Sequence, residues 1–244
     1  MSSDSLLYLD RVSVGYGATP VIPKLSLSLM HGERVALIGR NGAGKSTLLS
    51  AIMGRVPITS GKIYLRGQEI SRMAPHRRAA LGLGLVPQHG ELFASLTVEE
   101  NLRAAIQGGA DLDEAYSIFP PLAVRRHALA TELPAAERKM LAIARTLMSR
   151  PEVLLIDEPL EGMAPLICAL IMNILDKLVR DSRVTILLVD QHTELALNFA
   201  ERAFLMETGQ IIQDVEAAIL RRNPEMIARH LGPGMAPKGR RSGG

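Results

Sequence analysis

Residues 39–47 read GRNGAGKST, and the rest of the chain can be read outward from them. The spacing G-x-x-x-x-G-K-[ST] follows an apolar run, RVALIG at 34–39, and opens a second apolar segment at 46–53. A buried strand feeding a helix through a glycine-rich loop points successive backbone N–H groups at one anion, with the positive end of the helix behind them. Gly39, Gly42 and Gly44 free the backbone for turns that a Cβ would obstruct. Asn41, Ala43 and Thr47 complete the phosphate-contacting loop. Lys45 is placed to reach the β- and γ-phosphates of a nucleotide, and the Ser46 hydroxyl to ligate Mg²⁺. A chance glycine-rich turn would lack the strand before it and the helix after it.

A second stretch supplies the acids. Residues 152–158, EVLLIDE, carry four apolar residues into Asp157 and Glu158, which is a buried parallel strand ending in two carboxylates. Asp157 suits a contact to Mg²⁺ through water, and Glu158 is placed to polarise an attacking water. Adjacent carboxylates repel, so a purely structural reading needs a compensating charge, and the sequence does not identify one. Two further strands end in amides. Residues 84–86 are stopped by Pro87 and followed by Gln88, and residues 184–189 lead to Gln191 and His192. Ligands of open α/β sheets bind beyond the carboxyl ends of the strands, which places Gln88 near the nucleotide; the alternative is an ordinary loop amide.

Elsewhere the pattern alternates strand and helix. Residues 6–14 and 25–29 alternate apolar and polar and read as half-buried strands of an edge sheet, with a turn at His31-Gly32. Tyr16 sits between them in a Gly-Tyr-Gly loop, either stacking on something or idle. Ser60-Gly61 reads as a turn before a strand at 62–65, and residues 75–81 as a basic helix. Thr97 and Glu100 form a capping box opening a helix to Ile106. Short helices broken by Gly108-Gly109 and Pro120-Pro121 follow, which makes about 89–150 a candidate helical subdomain ending in a long helix through 140–148. A helix at 165–181 and strands at 202–206 and 210–215, joined at Glu207-Thr208-Gly209, complete a βαβα order and a mostly parallel core sheet.

At 244 residues and 47% hydrophobic, the chain can bury one large core with a small appended subdomain. The formal net charge of +3 is matched by Lys238, Arg240 and Arg241 in the acid-free segment 232–244, read as a disordered basic tail, so nothing here marks a nucleic-acid binder. The single Cys168 excludes an internal disulfide and suits a small filler on a helix in a reducing compartment. No window approaches the roughly 18 apolar residues of a membrane span, so a soluble cytoplasmic protein is expected, one that can still sit on a membrane partner.

With these residues in hand, the chain from about residue 6 to 231 resembles the ATP-binding subunit of an ABC transporter. VPQ at 86–88, ELFASLTVEENL at 91–102, MLAIARTLM at 140–148, DEPLEGMAP at 157–165 and LLVDQ at 187–191 look most like the LivF-like ATPases of branched-chain amino-acid importers, a family that also serves urea and short amides. The resemblance implies an α/β fold of the ABC type of P-loop NTPase, with a mostly parallel core sheet, an N-terminal antiparallel β subdomain and an inserted helical subdomain. It further implies that Tyr16 stacks on adenine, that Gln88 joins Ser46 and Asp157 at Mg²⁺ and links the nucleotide to the transmembrane partner, and that Glu158 is the catalytic base. Its implied partners are a second ATPase subunit, transmembrane permease subunits and a periplasmic or extracellular solute-binding protein, at the cytoplasmic face of the membrane.

Two departures matter. Where the family usually has LSGGQ or LSGGE, this chain has LPAAE at 133–137. In the family the serine hydroxyl and the following N–H groups grip the γ-phosphate held by the opposite subunit. Pro134 has neither a hydroxyl nor an N–H, and Ala135 and Ala136 add methyls where backbone should approach. The lost contacts are expected to cost about 1.5 to 3 kcal/mol each. At the end of the strand at 184–189, Gln191 stands where ABC ATPases commonly have a phosphate-contacting histidine; it can donate a hydrogen bond but cannot become cationic. His192 reads as a helix-start residue, and Leu160, in place of the usual Ser or Thr, as a further weakening of the loop after Glu158. The expectation is an asymmetric heterodimer with one competent site. The competing class is a non-catalytic nucleotide-binding subunit that uses ATP to assemble a complex. A soluble ABC ATPase without transport duty usually has two ATPase halves or a long insertion, which this chain lacks, and a simple P-loop kinase would lack the Asp157-Glu158 pair.

Overall fold

Two sheets are built from strands of opposite character. The computed structural model describes residues 5–15, 20–89, 91–107 and 109–231; the expectations for Tyr16 and for the tail at 232–244 lie outside them. The alternating N-terminal segments become β1 (Ser5–Gly15) and β2 (Pro20–Met30), antiparallel to each other. The buried strand β3 (Arg34–Gly39) leads through the glycine-rich loop into α1 (Lys45–Met53). β4 (Ile58–Leu65) and β5 (Gln68–Glu69) return to the first sheet, whose order is β2-β1-β4-β5.

The expected turn at Ser60-Gly61 is not there, because β4 runs straight through both residues. Gly61 has φ +83, and a Cβ on it would stand 2.3 Å from the Arg11 carbonyl oxygen. The β1–β4 register shifts between Asp10 and Ser13 at this point, so the glycine serves a bulge, where close backbone approach excludes a side chain.

The chain continues through α2 (Pro75–Ala80), β6 (Leu83–Val86) and α3 (Val98–Arg103). Thr97 Oγ1 accepts from the Glu100 N–H at 3.2 Å and the Glu100 carboxylate accepts from the Thr97 N–H at 2.8 Å, so the capping box is formed; the helix ends three residues short of Ile106. The short helices α4 (Leu112–Ile118) and α5 (Pro120–Val124) precede α6 (Ala135–Leu147). Beyond it come β7 (Val153–Asp157), α7 (Pro165–Ser182), β8 (Thr185–Val189), α8 (Thr193–Phe199), β9 (Arg202–Glu207) and β10 (Gln210–Glu216), then α9 (Ala217–Arg222) and α10 (Pro224–Leu231).

The second sheet has the order β10-β9-β3-β8-β7-β6, parallel throughout except for the β9–β10 hairpin. Its strands read as unbroken apolar runs because both faces are covered. Val35, Leu37, Leu155 and Leu187 pack with α1 and the N-terminal sheet, while Ala36, Ile38, Ile156 and Leu188 pack with the helices of the opposite layer. Cys168 is a buried residue of α7 within that layer. Among the described residues no helix is long and apolar enough to cross a membrane.

The phosphate-loop helix is held at its far end by a residue of the expected basic helix at 75–81. Arg78 of α2 is 3% exposed, and its guanidinium donates to the carbonyls of Ala51, Ile52, Ser71 and Met73 at 2.7 to 3.0 Å. Two of these carbonyls belong to the last turn of α1, where a cation also complements the helix dipole.

Candidate functional site

Parallel pairing of β3, β8, β7 and β6 brings four carboxyl ends to one edge, and each of those ends carries a residue singled out above. Gly39 pairs with Met206, and a Cβ on it would sit 2.5 Å from the Met206 carbonyl oxygen, so this glycine answers to close packing against β9. Gly42 (φ +82) and Gly44 (φ +101) do take the left-handed conformations expected of the loop. Gly44 is the N-cap of α1 and has no side chain to block the first N–H groups. The buried Lys45 folds back over the loop, donating to the carbonyls of Gly39 at 2.9 Å and Arg40 at 3.1 Å.

Asp157 and Glu158 are each 6% exposed, and the charges that the sequence alone did not reveal are Lys45 of the loop and Lys139 of α6. Burial pushes the Asp157 carboxyl above the ordinary aspartate value, opposed by a hydrogen bond from Ser46 and by the two lysines. Burial likewise raises Glu158, opposed by the Gln191 amide and by Lys45. Lys45 and Lys139 are in turn lowered by burial and raised by the surrounding carboxylates. Asp157 Oδ1 is buried with no hydrogen-bond partner among the described residues. An unpaired carboxylate oxygen beside a serine hydroxyl fits a hard divalent cation such as Mg²⁺, which keeps most of its shell for water and phosphate oxygens.

Glu158 departs from the strand with φ +45 while its N–H still bonds the Val189 carbonyl at 2.7 Å. That turn brings its carboxylate to both amides. Gln191 Nε2 donates to Glu158 Oε2 at 2.7 Å, and Gln88 Nε2 donates to the same oxygen at 3.1 Å and to Glu161 Oε2 at 2.8 Å. Gln88, expected beside Ser46 and Asp157 at the cation, therefore lies on Glu158 and Glu161 in this structure. It must leave both carboxylates to become a metal ligand.

Three residues here were missed or misread from the sequence. Asp190 is 2% exposed and accepts from the N–H groups of Leu160 (3.2 Å) and His192 (2.7 Å) and bonds the His192 ring at 2.8 Å. It sets the ends of β7 and β8 against each other; the signal available was a lone acid directly after LLV. His192 is the N-cap of α8 and turns to Asp190, consistent with a helix-start residue. Leu160, expected to weaken the loop, is fully buried in the core and anchored through its backbone to Asp190. Lys139 follows Glu137 and Arg138 but shares the buried face of α6 with Ala142 and Ile143, and a charge at that helical position was its signal. The LPAAE segment places Pro134 at the N-cap of α6 with no side-chain cap, and Ala135 lines a cavity of about 410 Å³ together with Gln88, Lys139 and Glu161.

A glycine-rich loop between a parallel strand and its helix, with a lysine inside it and paired carboxylates at the end of a nearby strand, defines a P-loop ATPase. The chain belongs to the ABC transporter family, whose model matches residues 22–161, and it is an ATP-hydrolysing cassette of that family. It is 37% identical to the high-affinity branched-chain amino acid transport ATP-binding protein BraG of Pseudomonas aeruginosa, over 93% of this chain and all of that one. It is 35% identical to a probable branched-chain amino acid transport ATP-binding protein LivF of Archaeoglobus fulgidus, over 84% of this chain and 90% of that one. The lipopolysaccharide export system ATP-binding protein LptB of Escherichia coli K12 is 34% identical, over 84% and 88%. Among solved structures, a nucleotide-free ATP-binding cassette from an ABC transporter superposes with a TM-score of 0.78 at 25% identity, over 87% of this chain and 91% of that one. A dimeric cassette in a post-hydrolysis state bound to ADP and Pi shares the fold, with a TM-score of 0.78 at 22% identity over 86% and 98%.

Proposed function

We propose that this chain is the ATP-hydrolysing subunit of an ABC importer for branched-chain amino acids or related small solutes such as urea and amides. The substrate class rests on the likeness to the BraG and LivF proteins. The observation that carries the catalytic reading is the carboxylate of Glu158, buried within the field of Lys45 and hydrogen-bonded by both Gln88 and Gln191. In this reading residues 39–47 cradle the phosphates through backbone N–H groups, and Lys45 swings from the loop carbonyls to the β- and γ-phosphates. Ser46 and Asp157 would hold Mg²⁺, which supplies charge neutralisation on the transferring phosphoryl group. Gln88 and Gln191 release Glu158, which orients the water and takes its proton, while Gln191 donates to the γ-phosphate. Tyr16 packs on the adenine. The helical segment at about 89–150 forms an arm that meets transmembrane permease subunits at the cytoplasmic face of the membrane, in a system with its own solute-binding protein.

The cassette is read as half of a heterodimer. Its own phosphate loop meets an intact signature from the second ATPase subunit, while LPAAE faces the partner's nucleotide as the weaker site. LPAAE also favours a second reading, a nucleotide-binding subunit that assembles the complex without turnover. Steady-state ATPase measurements on the full chain, alone and with a candidate partner ATPase, separate the two. The catalytic reading expects slow turnover alone, faster turnover with Pro134→Ser, Ala135→Gly and Ala136→Gly combined, and abolished turnover with retained ATP binding in Glu158→Gln. Tight nucleotide binding with no turnover in any variant or pairing would refute it.

A further inference from the structure

Lys139 is a buried cation that reaches the site and that the proposed cycle leaves unused. It lies on α6 four residues beyond Ala135, about 6 Å along the axis at 1.5 Å per residue. A lysine stem usually carries its ammonium out to water. Here the residue is 8% exposed, and Nζ donates inward to the Gln88 carbonyl at 2.7 Å and the Pro87 carbonyl at 3.4 Å. The side chain of that same Gln88 holds Glu158 Oε2 and Glu161 Oε2. Gln88 is therefore gripped at both ends, its carbonyl by the helix that begins at LPAAE and its amide by the acids beyond β7. The carboxylates of Asp157, Glu161, Asp190 and Glu158 all act on the Lys139 ammonium, so with Lys45 it is a counter-charge of the acid cluster, and through its two carbonyl contacts it anchors the segment after β6.

We propose that Lys139 is a positioning residue that ties the LPAAE helix to this chain's own catalytic base through Gln88. A rigid helix moves as a unit, so a displacement of α6 by nucleotide bound across its N-terminus pulls on the Pro87 and Gln88 carbonyls and shifts the amide lying on Glu158. The weakened signature then has a use, because it reports nucleotide in the weaker site to the competent one. This relay rests on the ATPase reading and on the paired-subunit arrangement given above.

The test uses the full chain with its partner ATPase and compares native protein with Lys139→Met, Gln88→Ala and the double variant. Lys139→Met should lower kcat about tenfold or more with KM within about twofold, because misplacement of a catalytic group affects the chemical step. The double variant should be no slower than Gln88→Ala alone, because Lys139 acts through Gln88. Hydrogen exchange of the peptide spanning 86–91 should respond to ATP in the native protein and lose that response in Lys139→Met while fluorescent-nucleotide binding persists. Multiplying losses in the double variant, or an unchanged exchange response, would overturn the relay, since a lysine that merely stabilises the fold would act independently of Gln88. Should Lys139→Met fail to fold, Lys139→Gln, too short to reach both carbonyls, gives the same readings. Absence of turnover in native protein counts against the ATPase function alone, and the exchange response still decides the relay.

Discussion

Replacing Arg78 with methionine removes the buried guanidinium that holds the end of α1 while leaving a stem of similar bulk. Four hydrogen bonds are lost, to the carbonyls of Ala51, Ile52, Ser71 and Met73. Hydrogen bonds from a charged donor contribute about 1.5 to 3 kcal/mol each, and the cost of desolvating the guanidinium offsets roughly half of the sum. Burial does lower the pKa of Arg78, as that cost requires. The expected net loss is about 3 to 6 kcal/mol, and at about 2 to 4 °C per kcal/mol for a chain of this size the melting temperature should drop by about 6 to 24 °C. Thermal melts of the ligand-free full chain followed by circular dichroism read this directly. Arg78→Lys keeps one cation with at most three donors and should fall between native and methionine. Because the phosphate loop sits at the opposite end of α1, nucleotide affinity measured well below the melt should change by less than about threefold. A methionine variant melting within about 2 °C of native, or a lysine variant no better than methionine, would show that the four bonds contribute little.

Three further outcomes follow from the geometry. Burial holds Glu158 of the ligand-free chain above the ordinary glutamate value while Gln191 opposes it, and the base works ionised, so the acid limb of kcat/KM, which reports the free enzyme, should lie above the usual glutamate range. Gln191→Leu removes the bond that favours the carboxylate and should move that limb to higher pH; a shift to lower pH would contradict the assignment. The folded pKa values of Asp157 and Glu158 both exceed their unfolded ones, so between the two the folded chain binds more protons. Ligand-free stability should therefore rise as pH falls from the folded values toward the unfolded ones, and urea midpoints should show a shallower slope in Asp157→Asn. A Cβ on Gly209 (φ +79) would stand 2.0 Å from the Val21 carbonyl oxygen, whereas one on Gly67 (φ +75) meets nothing within 4 Å. Gly209→Ala should lose about 2 to 4 kcal/mol in urea unfolding and Gly67→Ala only about 1, and equal losses would make left-handed strain the whole effect.

The class of protein was legible in the sequence because the features that define it are local. A glycine-rich loop between an apolar strand and a helix is contiguous at 39–47, as is the strand that delivers Asp157 and Glu158, and the Thr97–Glu100 capping box closes within four residues. Hydrophobic runs alone distinguished the half-buried N-terminal strands from those buried on both faces. Tertiary structure decided whatever depends on two distant segments meeting. Gly61 passed for a turn because its reason is the backbone of Arg11, fifty residues earlier in the chain. The roles of Arg78 and Lys139 stayed hidden because sequence does not show that the carbonyls of α1 and of Gln88 lie within their reach. The meeting of Gln88 and Gln191 on one oxygen of Glu158 joins three strand ends that parallel pairing sets side by side although the residues lie 70 and 33 positions apart in the chain. Backbone pattern is governed by neighbours along the sequence, while the partners of a buried charge are chosen by packing, and so the loop was readable and its counter-charges were not.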